Sequence, residues 1–121
     1  MIPETFHKLP QTCPATLWSA IGYSGSDRFL GLYWDPTEDE AAWWDGTVGL
    51  KGANWWAYIQ LTDHLFPPGN PNRYSTGSSD NCATHWIILD KQTESIYLAP
   101  IAPARTFLAA QWAFAHTGEL V

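Results

Sequence analysis

Two short apolar runs on either side of an acidic turn constrain the fold of this chain more than any other feature. The run at residues 29–34 carries no charge, and the run at 41–44 follows directly after the acids. Side chains alternate between the two faces of a strand, so Leu30, Leu32 and Trp34 would share one face and the residues between them the other. We therefore predict two neighbouring strands joined by the acidic turn.

Further strands are indicated by turn residues. Asp45-Gly46 is the strongest hairpin signal in the chain, because a tight turn needs a positive φ, and it predicts a return strand. Two more apolar runs flank Lys91-Gln92-Thr93 and predict a second hairpin. The predicted strands are 29–34, 41–44, 47–50, 84–90 and 94–99.

Three helices complete the predicted fold. Pro14 suits a first helical position with Thr12 or Cys13 as the cap, Asn54 suits an N-cap, and Pro103 lies near the start of the last helix. We expect residues 1–12 to be extended and 67–83 to form a long loop. These elements predict one α+β domain over residues 1–121, with an antiparallel sheet covered on one face. The predicted helices are 14–20, 54–66 and 103–115.

Charge excludes some classes of partner. The net charge is -6, and the six basic residues are scattered along the chain. Binding to a phosphate backbone or an anionic membrane needs clustered cations, so we expect neither nucleic acid nor membrane as a partner. The N-terminal residues lack the features of a signal peptide, which predicts a cytosolic protein with reduced cysteines. No cofactor motif is found, and the oligomeric state is left open.

The acidic turn and its tryptophans predict a binding surface for a basic protein. Residues 34–45 contain five carboxylates, three tryptophans and no base. Because paired strands alternate their faces, one of Trp43 and Trp44 should point away from a single core. An exposed indole beside carboxylates would attract Arg or Lys side chains through cation–π contacts and charge. We predict an acidic inhibitor, adaptor or immunity-type factor that docks its partner through Trp34, Glu38, Asp39, Glu40, Trp43, Trp44 and Tyr74.

A cysteine-dependent hydrolase is the first alternative. Either Cys13 or Cys82 would be the nucleophile, with His85 as base and Asp90 as the acid that orients it. The stretch Gln11-Thr12-Cys13-Pro14-Ala15, followed later by His85-Trp86-Ile87-Ile88-Leu89, resembles papain-type bacterial cysteine peptidases, in which a cysteine opens a helix and a histidine starts a strand. The resemblance implies thiol hydrolase chemistry. The usual orienting Asp or Asn is absent, since Leu98-Ala99-Pro100 stands at the corresponding place.

Two non-catalytic alternatives are a zinc site, which would use cysteine and histidine residues, and a ligand-binding module, which would use the many aromatic rings. His7, Cys13, Cys82 and His85 supply two nitrogen and two sulfur ligands suited to tetrahedral zinc. Eight tryptophans, five tyrosines and five phenylalanines would also suit a carbohydrate or small-ligand module, since rings stack on sugars and carboxylates accept their hydroxyl groups.

Overall fold

The structure, a computed structural model, describes residues 2–35, 37–47, 49–76 and 83–117, and the side chain of Tyr74 is outside this description. The strands are β1 (His7–Thr12), β2 (Phe29–Asp35), β3 (Glu40–Trp44), β4 (Lys51–Gly52), β5 (His85–Asp90) and β6 (Ser95–Pro100). The helices are α1 (Ala15–Ala20), α2 (Trp55–Leu65), the single turn α3 (Asn72–Ser75) and α4 (Ile101–Ala115).

The strands form one antiparallel sheet in the order β1-β6-β5-β2-β3-β4. Strands β5 and β2 lie at the centre, and their residues are almost all buried. The short strand β4 forms one edge of the sheet and β1 the other. The predicted α+β class with an antiparallel sheet is confirmed.

Helices cover the sheet on both faces, so the prediction of a single covered face is wrong. Leu30 and Leu32 belong to a core with α1 and α2, and this core also holds Trp34 as predicted. Phe29 and Tyr33 belong to a second core, which α4 closes with Ala104, Phe107 and Leu108. The central strands are apolar on both faces, and each face therefore needs its own covering layer.

Local signals explain where the helices begin. The side chain of Asn54 accepts a hydrogen bond from the Ala57 backbone N–H (2.9 Å), which confirms the predicted cap of α2. Pro14 itself occupies the N-cap of α1, so the capping role given to Thr12 or Cys13 is wrong. Pro103 lies in the first turn of α4, where backbone N–H groups lack helical partners and proline is tolerated. Within the described ranges, no helix is long and apolar enough to cross a membrane.

The predicted return strand after Asp45-Gly46 is present as β4, but it covers Lys51–Gly52 rather than 47–50. Asp45 accepts a hydrogen bond from the Thr47 backbone N–H (3.1 Å), and the Trp44 indole donates to the Thr47 carbonyl. Pairing resumes only where Lys51 lies opposite Trp43. The unpredicted strand β1 pairs with β6 at the sheet edge, where a register shift accommodates Pro10.

Gly46 has the predicted positive φ (105°), and its main role is to let α4 approach the sheet. A Cβ at this position would lie 2.3 Å from the Leu108 carbonyl oxygen and 2.5 Å from the Trp112 Cβ. The first of these atoms belongs to the helix backbone, so the clash can be relieved only by moving α4.

We predict that Gly46→Ala lowers the free energy of unfolding by about 3 kcal/mol, because it adds a backbone clash to the strain of a positive φ. Gly22→Ala is the matched control. Gly22 also has a positive φ, and a Cβ there meets no atom within 4 Å, so it should cost only about 1 kcal/mol. Urea unfolding of both variants measures the difference. Equal losses would show that α4 does not pack closely on Gly46.

Candidate functional site

The acidic turn joins β2 to β3, and the tryptophan that precedes it is buried. Glu38, Asp39 and Glu40 are exposed. Trp34 packs in the core, and its indole N–H donates to the Asp39 carboxylate (3.3 Å). Trp34 therefore positions the turn, and its ring is not part of an open binding face.

Trp43 and Trp44 point to opposite faces of the sheet, as alternation predicts, yet neither stands free in solvent. Trp43 packs edge-on against Tyr23, with ring centroids 4.8 Å apart. Trp44 packs against Trp86 in the core beneath α4. Both rings are half-buried, because Tyr23 and the core with α1 and α2 cover Trp43, and α4 covers the face on which Trp44 lies.

The exposed rings lie instead at the start of α2. Trp55 is 52% exposed and Trp56 61%, and Leu50 nearby is 50% exposed. Trp56 lies about 160° around the helix from the buried Tyr58, so it cannot face the same core. The adjacency of Trp55 and Trp56 does not by itself predict this exposure, since the adjacent pairs Ala57-Tyr58 and Leu61-Thr62 of α2 are both buried.

These rings follow β4, the short strand that lies beside the acidic turn. Ala42 pairs with Gly52, and the Glu40 carboxylate lies 3.9 Å from the position that a Cβ on Gly52 would occupy. Trp55 is three positions after Gly52, so the Cα atoms of these two residues lie at most about 11 Å apart. Acids and indoles thus share one end of the sheet. We call this surface the edge patch and define it as Glu38, Asp39, Glu40, Leu50, Trp55 and Trp56.

Cys13 does not have the properties of a nucleophile. Its side chain is fully buried in the core beneath α1 and α2. Burial raises the pKa of the thiol to about 11, and a hydrogen bond with Trp18 opposes this only in part. The thiol therefore stays protonated at neutral pH and is closed to solvent.

The structure does not bring Cys13 and His85 together. The Cys13 backbone N–H donates to the Glu94 carbonyl (2.8 Å) at the start of β6, whereas His85 pairs with Pro100 at the end of that strand. A six-residue strand spans about 17 Å between its first and last residues. The His85 ring contacts the Thr84 hydroxyl (2.8 Å) instead of a carboxylate.

Asp90 has a structural role at the other end of β5 from His85. Its carboxylate accepts two hydrogen bonds from the Arg28 guanidinium (2.9 and 3.0 Å) and one from the Thr93 hydroxyl (2.7 Å). Burial alone would raise the pKa of Asp90, but the bonds from Arg28, Thr93 and the Gln92 backbone outweigh it and hold the pKa below its usual value. The carboxylate therefore ties the β5–β6 turn to the residue that precedes β2.

The predicted zinc ligands are not gathered in the part of the chain that the structure describes. No group of three or more His, Cys, Asp or Glu residues able to hold a metal ion is present among those residues. His7 lies opposite Leu98, well away from Cys13 at the start of β6. Cys82, named for both the hydrolase and the zinc site, lies outside the described residues. Tyr74 lies in α3, and its side chain is likewise outside the description.

A cleft of about 460 Å³ opens between α4 and the β2–β3 turn. Its walls include Tyr33 and Trp86, whose rings are stacked with centroids 4.0 Å apart. Arg105 of α4 extends over Trp86 at 6.0 Å from the ring centroid, and Asp35 and Glu38 at the end of β2 and in the turn also line the cleft. The sequence analysis missed this cleft, because α4 joins the turn only through the tertiary fold.

Tyr33 carries a buried hydroxyl group with no hydrogen-bond partner in the described part of the chain. Burial, and to a lesser extent Asp35, raises the pKa of this phenol to about 12, and Arg105 opposes the rise in part. The hydroxyl thus stays protonated at neutral pH and lies within electrostatic reach of both charged walls of the cleft. An unpaired buried hydroxyl is costly, which makes this position unusual in a native core.

Comparisons with known proteins identify no relative. No protein-family model matches the chain, and no curated protein or solved structure matches it either. Function must therefore be inferred from the geometry of the chain itself.

We predict that the Asp90–Arg28 ion pair stabilises the fold above about pH 4 and that this contribution disappears in acid. The folded pKa of Asp90 is depressed, so its stabilisation is complete above the unfolded pKa of about 4 and is lost as the pH falls through the folded value. At pH 7, Asp90→Asn should lower the free energy of unfolding by about 2 kcal/mol, since Arg28 keeps partial solvation.

The control for this prediction is Asp63→Asn. Asp63 pairs with Arg73 at 2.6 Å but is half exposed, so its loss should cost less than about 1 kcal/mol. Urea unfolding at several pH values measures both variants. A gap between the wild type and Asp90→Asn that stays constant down to about pH 2 would contradict the assignment.

Proposed function

We propose that this protein binds a basic protein partner through the edge patch and acts by occlusion rather than by chemistry. Three of the four large hydrophobic side chains exposed in the described ranges belong to the patch, and they lie within seven residues of one another. This clustering is the observation that carries the proposal. A contiguous apolar surface rimmed by polar residues marks interaction sites in soluble proteins.

The two indoles would supply most of the binding energy. Each ring leaves about half of its surface in water, and covering about 125 Å² of it would contribute about 3 kcal/mol. Part of this gain is offset by the freedom that both partners lose. Tryptophan is enriched among the interface residues that dominate binding energy, which agrees with this role.

The acids of the patch select the sign of the partner's charge. Glu38, Asp39 and Glu40 are consecutive and exposed, and the net charge of the chain is -6. A second copy of the chain would bring like charges together at this surface, whereas Arg and Lys side chains would pair with the acids and stack on the indoles. We therefore take the partner to be basic, in the cytosolic setting that the sequence predicts.

This proposal keeps the predicted mode of binding, in which acids and indoles hold a basic partner, but it assigns the contact to other tryptophans. The acids are the predicted ones, but Trp55 and Trp56 replace Trp34, Trp43 and Trp44 as the contact rings. The hydrolase alternative has little support from Cys13, since that thiol is buried and protonated.

We predict that the double variant Trp55→Ser/Trp56→Ser keeps the fold and loses binding to cationic peptides. The probes are length-matched Arg-rich, Lys-rich and neutral peptides, with binding followed by fluorescence anisotropy of a label on the peptide. The wild type should bind the Arg-rich peptide best, because guanidinium groups stack well on indoles, and raising the salt to about 0.5 M should weaken binding. The Trp variant should lose at least about tenfold in affinity.

Matched control variants test whether binding depends on the edge patch itself or on any exposed ring and any exposed acid. Phe114→Ser removes an exposed ring from α4, and Glu4→Gln removes an exposed acid near β1. Both should leave binding unchanged, whereas Glu40→Gln should weaken it. The proposal fails if the neutral peptide binds equally well. It also fails if the wild type is a dimer in sedimentation that the Trp variant converts to a monomer, because the patch would then serve self-association.

A further inference from the structure

The cleft between α4 and the β2–β3 turn combines two kinds of binding group, carried by different elements. Arg105 lies on the helical wall, and no carboxylate lies within ion-pair distance of it in the described ranges. Its guanidinium rests over the Trp44 and Trp86 rings at 5.6 and 6.0 Å, which restricts its orientation. Asp35 and Glu38 lie on the wall formed by the end of β2 and the turn.

Tyr33 contributes its ring rather than its hydroxyl to the cleft. Its side chain is almost fully buried and lines the cleft beside Trp86, whereas its hydroxyl oxygen is closed to solvent and unpaired in the described residues. A ligand in the cleft would therefore meet an aromatic wall beside the charged groups.

The charges of the cleft select against ligands of a single sign. A simple anion would be attracted by Arg105 and repelled by the two carboxylates, and a simple cation would meet the reverse. The cleft also lacks a suitable surface for a sugar ring. Trp86 is almost fully buried, with Tyr33 stacked on its ring and Arg105 above it, so it offers no open face for a pyranose.

We propose that this cleft binds a small zwitterion of the amino-acid type, with its carboxylate at Arg105, its ammonium at Asp35 and Glu38, and an apolar side chain between them. Leu50 and Ile101 supply apolar walls. The volume of about 460 Å³ lies within the range of small-molecule sites in proteins. This inference does not rest on the proposed protein-binding function, although Leu50 and Glu38 are shared with the edge patch.

The test is calorimetric binding of four probes to the intact protein: L-phenylalanine, phenethylamine, 3-phenylpropionate and D-glucose. The first carries both charges, and the next two each lack one of them. We expect a Kd of about 1 mM or tighter for L-phenylalanine, and binding at least about tenfold weaker for the other three. No binding of L-phenylalanine, or equal binding of either singly charged analogue, would overturn the proposal. Preferential binding of glucose would do the same and favour a carbohydrate module.

Two charge variants test which residues bind the carboxylate of the ligand and which bind its ammonium group. Arg105→Gln should weaken L-phenylalanine about tenfold or more and leave phenethylamine bound as well as before. Asp35→Asn should lose a similar factor for L-phenylalanine and gain affinity for 3-phenylpropionate. Its amide oxygen can still accept the Thr37 backbone hydrogen bond that Asp35 accepts (2.9 Å). Lys8→Gln, an exposed residue of β1, is the control for lost charge and should change nothing. Variants that weaken all probes equally would contradict the assignment of walls.

Discussion

Burial of both faces of the two central strands is the constraint on which the rest of this structure depends. Leu30 and Ile87 face one core, and Phe29 and Ile88 face the other. An antiparallel sheet of this kind cannot leave a face to solvent, so α4 must cover the side that α1 and α2 do not. Gly46 supports this arrangement because it has no side chain and so lets α4 pack closely on the sheet. The Asp90–Arg28 pair supports it by holding the β5–β6 turn in place beside the central strands.

The same constraint determines where functional groups remain available. Two helical layers enclose Trp34 and partly enclose Trp43 and Trp44, and the start of α2 at the β4 edge lies outside them. The acids of the β2–β3 turn lie at this same edge, so charge and exposed indole meet there. The cleft beneath Arg105 has a related origin, since α4 crosses the sheet next to the turn and leaves a gap lined by the ends of both.

Local sequence patterns correctly predicted the features that depend only on neighbouring residues. Alternation in 29–34 gave the two faces of β2, and Asn54 marked the start of α2. The partial burial of Trp43 and Trp44 could not be predicted in the same way, because it depends on Tyr23 and on α4, which are both distant in sequence. The loop after Gly46 was missed for the same reason, since the glycine signals a close helix contact as much as a tight turn. The unpaired Tyr33 hydroxyl has no sequence signature at all.

Hydroxyl-radical footprinting of the isolated protein, with the oxidation rate of each tryptophan read by mass spectrometry, tests the account most directly. It reports which indoles the two helical layers enclose. The account predicts that Trp55 and Trp56 react fastest, that Trp43 and Trp44 are intermediate, and that Trp18, Trp34 and Trp86 are protected. Rapid oxidation of Trp86 or Trp44 together with protection of Trp56 would mean that α4 does not cover its face of the sheet, and both the edge patch and the cleft would have to be abandoned.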